Sequence, residues 1–104
     1  MSDIVGKWVL QEGVFKGLWF EFRPDGTYYS ELPRLIKVTA SGTYTVSEGG
    51  LIDTHQTQHT MNLLGNFYGR YEIEGDTMRL LFGPAPGGDR PADLSKAPVY
   101  IRMK

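Results

Sequence analysis

The segment NFYGRYEIEGDTMRLLF, residues 66–82, carries the pattern that decides the fold. Phe67, Gly69, Tyr71 and Ile73 fall on one side of an extended chain. Met78, Leu80 and Phe82 fall on one side of the next. Period-two alternation of this kind belongs to strands whose two faces meet different surroundings. Between them, Glu74-Gly75-Asp76 is a short hairpin loop in which the glycine is free to adopt left-handed geometry.

The same grammar extends in both directions. Strands are expected near 4–10, 17–23, 27–31, 38–46, 50–59, 66–73, 76–82 and 98–103. Pro24-Asp25-Gly26 places a proline at the first corner of a turn and a glycine where positive φ is wanted. Glu48-Gly49-Gly50 closes another hairpin. Thirteen glycines and many aromatic, Thr and Val residues favour strands over helices. Short strands at regular spacing with such turns predict an all-β barrel or sandwich. Two connections are less regular. Residues 31–38, ELPRLIKV, read as a short helical turn or a flap. Residues 83–98 hold four of the six prolines and three glycines, and read as a long loop lying over an opening.

The chain's 104 residues suffice for one domain and a limited core. A net charge of −1, with acidic and basic residues interspersed, leaves no basic stripe to follow phosphates, so nucleic acid is excluded as a partner. No apolar run has membrane-spanning length, and MSDIVGKW lacks the form of a secretory signal. Without cysteine there is no disulfide, thiolate nucleophile or zinc–cysteine site. A cytoplasmic protein of bacterial type is expected.

Alternation assigns an inner lining. Leu18, Phe20 and Phe22 share a side, as do Tyr44 and Val46, and Val99, Ile101 and Met103. Trp8 and Leu10 join them from the first strand. Tyr44 and Tyr71 within that lining require a hydroxyl partner or water inside. Against this grease stands LIDTHQTQHT, residues 51–60. In a regular strand Asp53, His55, Thr57 and His59 share one face, and Thr54, Gln56, Gln58 and Thr60 the other. One polar face therefore meets a polar guest or buried water, unless the segment leans out past the rim. Which face turns inward stays open. His55 and His59 lie about 13 Å apart along a strand, too far to share one tetrahedral metal ion. Asp53 and His55 could act together as a general base, although no nucleophile accompanies them. Arg70 reads as outward. Arg90 either pins the long loop to Asp53 or Asp93, or meets an anion at a barrel mouth. Trp19, Tyr28 and Tyr29 read as outer or rim aromatics, which makes a homodimer an expectation.

Gly6-Lys7-Trp8, then Phe20-Glu21-Phe22 before Asp25-Gly26-Thr27, then Gly42-Thr43-Tyr44-Thr45-Val46, the hairpin of 71–80 and a late Arg102 resemble the lipocalin and calycin superfamily, including its small bacterial members. That resemblance implies that Trp8 closes one end of a barrel with Arg102 lying across it as a cation–π pair. The second half is also similar to an uncharacterised domain family abundant in planctomycete genomes, through Ile52-Asp53, the run from Gly69 to Asp76, Leu80 and Arg90-Pro91, with Asp93 in the acidic position. It brings no activity with it. The chain departs from typical lipocalins in being shorter and in ending at the eighth strand.

The expected fold is thus an all-β, short, eight-stranded antiparallel up-and-down barrel, lipocalin-like, formed by residues 1–104 as one domain. The leading function is binding of a small, mostly apolar ligand. Phe20, Phe22, Tyr44, Tyr71, Leu80 and Phe82 would supply the walls, and His55 or Gln56 the polar contact. Trp8 and Arg102 are structural. The alternatives are a small-barrel isomerase or cyclase using His55 and Asp53 or a tyrosine, and a protein-interaction module with a packed core. No cofactor or metal is implied.

Overall fold

Eight strands follow one another in a computed structural model that describes residues 4–33 and 37–103. They are β1 (Gly6–Leu10), β2 (Trp19–Phe22), β3 (Thr27–Leu32), β4 (Val38–Ser47), β5 (Leu51–His59), β6 (Gly65–Glu74), β7 (Thr77–Phe82) and β8 (Val99–Met103). Each pairs antiparallel with its neighbour, and β8 pairs with β1, so the sheet closes into an up-and-down barrel. This is the architecture that the alternation predicts. Closure leaves no free edge along the strands. The expected turn or flap at 31–38 falls partly on residues 34–36, outside the described residues. No helix among the described residues is long and apolar enough to cross a membrane.

One end of the barrel is packed shut. Trp8 is fully buried, and its indole N–H donates to the Ile4 carbonyl at 2.9 Å. The Arg102 guanidinium lies 4.2 Å from the Trp8 ring centroid, donates to the Val5 carbonyl at 3.0 Å and stands 3.5 Å from the Asp76 carboxylate. Trp8 and Arg102 are cross-strand partners in the β1–β8 register, so the contact fastens the seam that closes the sheet. Gly6 is required here. Its φ is +132°, and a Cβ on it would stand 2.9 Å from the Arg102 guanidinium. Above Trp8, Phe22, Ile52, Met78 and Leu80 complete the buried plug. Phe22 meets Tyr44 edge-on at 5.0 Å, and Tyr44 donates to the Arg23 carbonyl at 2.8 Å. A backbone carbonyl at the β2–β3 turn thus supplies the partner that this phenol needs.

The barrel departs from regular alternation in one place. Gly42 pairs with Gln56, yet Ser41 pairs with Gln58, so Thr57 is an extra residue in β5. This is a β-bulge. Below it Ile52, Thr54 and Gln56 point inward and are buried. Above it Ala40, an inward residue, faces His59. The bulge therefore reverses the parity of β5, and His59 leaves the face it would share with Asp53 and His55 in a regular strand. Gly42 permits the bulge, because a Cβ there would collide with the His55 carbonyl.

The segment 83–98 does not cover the mouth. It runs along the outside of β5 and β6, held by two arginines. Arg90 donates to the Gly69 carbonyl at 2.6 Å and the Ile52 carbonyl at 3.3 Å, and pairs with Asp53 at 2.5 Å. Arg70 Nε donates to the Pro91 carbonyl at 2.5 Å. Arg90 is thus the pin, with Asp53 as its carboxylate. Arg70 points outward as expected, but under this loop rather than into open solvent.

Replacing Gly42 with Ala is expected to cost more than about 2 kcal/mol, because the new methyl meets strand backbone that cannot yield cheaply. Trp8→Ala should cost about 3–5 kcal/mol through the cavity it leaves. Arg102→Met should cost about 1 kcal/mol, the worth of a partly exposed cation–π contact. Urea unfolding of the three variants checks this order.

Candidate functional site

The end opposite Trp8 stays open. A cavity of about 290 Å³ enters the barrel there. Its apolar walls are Leu18 and Phe20 from the β1–β2 side, Leu32 and Val38 beside β3 and β4, and Phe67 and Phe82 from β6 and β7. Phe15 and Leu63 stand at its rim, on loops that also expose Val14, Met61 and Leu64. The apolar surface of the cavity continues outward onto these loop tips.

One side of the cavity is polar, and its order follows from the sheet register. Tyr28, Gly42 and Gln56 form one row across β3, β4 and β5. Ser30, Ala40 and His59 form the next row towards the mouth. In both rows β4 contributes a small residue, but only Ala40 faces the cavity, since the position over Gly42 is taken by the His55 carbonyl at the bulge. Tyr28 donates to Gln56 Oε1 at 2.8 Å, and Gln56 Nε2 donates to the Leu63 carbonyl at 2.6 Å. A carbonyl can only accept, so the amide nitrogen must face Leu63 and the amide oxygen must face Tyr28. Gln56 thereby ties β3 to the loop at the mouth. Burial pushes the Tyr28 phenol up to about 12, against a hydrogen bond from Thr54 that draws it back. Burial raises the Tyr100 phenol as well.

His59 lines the cavity near the rim. Its Nδ1 accepts the Met61 backbone N–H at 3.0 Å, so the neutral ring carries its proton on Nε2. A ring in this tautomer offers a donor, not a base, from its second nitrogen. The Thr39 hydroxyl is engaged with Thr60 at 3.2 Å. Ser30 is buried, and its hydroxyl is bonded to no other described residue. Since no fully enclosed side-chain polar atom lacks a partner, that hydroxyl opens onto the cavity.

The structure separates the residues that the sequence proposed. Phe20, Phe82 and Gln56 line the cavity. Phe22, Tyr44 and Leu80 lie deeper, in the packed plug around Trp8, and Tyr71 is half-buried against it. A shared strand face is common to plug and cavity alike, so alternation could not tell the two depths apart. Of the two polar candidates, Gln56 is inside and His55 is outside. His55 is exposed, with Nδ1 2.6 Å from Asn66 Oδ1 on the outer wall. Asp53 shares that outer wall, where it pairs with Arg90. The two line an outer groove of about 260 Å³ with Tyr68, apart from the barrel cavity. A His55–Asp53 base inside the barrel is therefore not what the fold assembles. Among the described residues no three His, Asp or Glu side chains gather as metal ligands would.

Tyr28, Ser30, Ala40, Thr54 and His59 are cavity residues that sequence reasoning missed. Tyr28 was expected at the outside or rim but is buried, turned inward opposite Phe22. The alternation of Tyr28, Ser30 and Leu32 against Tyr29 and Glu31 carried that signal. Trp19 and Tyr29 do lie outside, with centroids 5.4 Å apart and the Lys7 ammonium 4.7 Å from the Trp19 ring.

Set against protein-family models, curated proteins and solved structures, the chain has no match.

Gln56→Leu leaves the Tyr28 hydroxyl and the Leu63 carbonyl without their partner and should cost about 1–3 kcal/mol in denaturant unfolding. On the alkaline side, a raised phenol pKa means that the folded state holds its proton longer than the unfolded chain. The stability this contributes is complete below about pH 10 and is lost as pH rises towards 12. Unfolding free energies measured across that window should fall less steeply for Tyr28→Phe than for the parent.

Proposed function

We propose that this chain is a noncatalytic binding barrel for a small, mostly apolar molecule, of the lipocalin-like kind that its Gly6-Lys7-Trp8 motif and late Arg102 resemble. The observation that carries the reading is the division of the barrel into a plugged half and an open half. The cavity of about 290 Å³ lies at the lower end of the range for small-molecule sites. Apolar walls with a few convergent polar groups are the usual composition of such sites. The exposed Val14, Phe15, Met61, Leu63 and Leu64 at the mouth suit the entry of an apolar guest. An interaction module with a solid core would not need a small Ala40 facing an unfilled space. Catalysis receives less support, because the one imidazole at the cavity has its Nδ1 engaged by the Met61 N–H.

Fluorescence titration with N-phenyl-1-naphthylamine, a neutral apolar probe, tests this. The parent protein should bind it saturably. Ala40→Phe, which places a ring in the open space, should weaken binding at least about tenfold, equivalent to about 1.4 kcal/mol, while leaving the melting temperature unchanged or higher. Equal binding by parent and Ala40→Phe would remove the cavity as the site. Native mass spectrometry of protein purified from its own host would show a copurifying small molecule.

A further inference from the structure

The cavity's polar groups share a property that narrows the ligand class. Every described side chain that lines it is uncharged or an imidazole; none is Lys, Arg, Asp or Glu. Among the described residues, two arginines of the barrel wall are committed elsewhere. Arg90 is held outside the wall by Asp53 and by two backbone carbonyls. Arg102 lies at the closed end, over Trp8. An ionised headgroup entering this space would lose its hydration and meet no counter-charge among the described lining residues, which is the costly case for burial. A neutral oxygen would meet groups with capacity to spare. The Ser30 hydroxyl opens onto the cavity and can donate or accept. His59, held with its proton on Nε2, can donate. The two flank Ala40 in one row of the sheet, and Ala40 leaves the strip between them unfilled. In the row below, the Gln56 amide oxygen accepts from Tyr28 and its nitrogen donates to the Leu63 carbonyl, which braces the wall.

We propose that the cavity selects neutral amphiphiles, an apolar chain or ring system bearing a hydroxyl or carbonyl, which is held in the strip that Ser30 and His59 flank, and that it rejects carboxylates of the same size. This rests on the cavity being a ligand site at all. The apolar part lies against Leu18, Phe20, Phe67 and Phe82, and the oxygen faces β3 and β5.

Competition against N-phenyl-1-naphthylamine at pH 8 tests it, with decan-1-ol, decan-2-one and decanoate as matched competitors kept below micellar concentrations. The alcohol and the ketone should displace the probe at concentrations at least about tenfold lower than decanoate. In Ser30→Ala, with the probe's affinity for that variant measured as the reference, decan-1-ol should lose roughly threefold to tenfold, the effect of one neutral hydrogen bond, while a hydrocarbon competitor, decane, loses nothing. Decanoate competing as well as decan-1-ol, or better, overturns the selectivity and leaves the cavity reading standing. An unchanged decan-1-ol affinity in Ser30→Ala, with probe binding intact, overturns the role given to Ser30. Failure of the parent to bind the probe and all three competitors overturns the cavity reading itself, and this proposal with it.

Discussion

One supernumerary residue shapes the open end of this barrel. Thr57 has no partner on β4, and the strand must bend to accommodate it. Because side chains alternate with a period of two, a single insertion exchanges the inner and outer faces for every residue beyond it. His59 arrives inside by that route. The bulge stands only because Gly42 offers no Cβ to the His55 carbonyl. In the next row Ala40 leaves space above the sheet that a larger residue would fill. Register and polarity at the mouth trace back to the same local irregularity.

The two ends of the barrel divide the physical tasks between them. A chain of 104 residues has little apolar surface to spare, and a cavity gives some of it up. The closed end offsets this by concentrating its largest side chains. Trp8, Phe22, Ile52, Met78 and Leu80 pack without access to solvent, and Arg102 lies over Trp8 across the seam between β1 and β8. The polar wall of the open end costs little in turn, since its buried tyrosine and amide are paired. Tyr28, Gln56 and Leu63 form a chain of bonds in which each group satisfies the next. That chain also fixes the loop at the mouth to β3, so an arrangement needed for stability also shapes the entrance.

The polar segment 51–60 turns out to serve two surfaces at once. Asp53 and His55 furnish the outer wall, where Asp53 anchors Arg90 and with it the long loop, and His55 meets Asn66. Thr54 and Gln56 furnish the inner wall beside Tyr28. Hydrophilic residues on both faces therefore do not signal a strand lying outside the core. They signal a strand with a loop docked on one side and a hydrogen-bonded wall on the other. The pairing of Asp53 and His55 as neighbours on one face is correct, but each finds its partner on the outer surface rather than inside the barrel.

A resemblance through the G-x-W motif implied the closed end at Trp8 and Arg102, while period-two alternation and turn chemistry at residues 24–26, 48–50 and 74–76 determined the eight strands from the sequence alone. These are local properties, set by which residues sit next to one another and by what each turn requires of φ. The location of the cavity was decided only by tertiary structure. Phe20 and Phe22 share a strand face, yet one lines open space and the other is packed shut, because depth along a barrel axis depends on what the opposite wall contributes. The same holds for His59. Its side of the sheet was set by pairing β4 with β5 out of step, and such a slip exists only when two distant stretches of chain lie side by side.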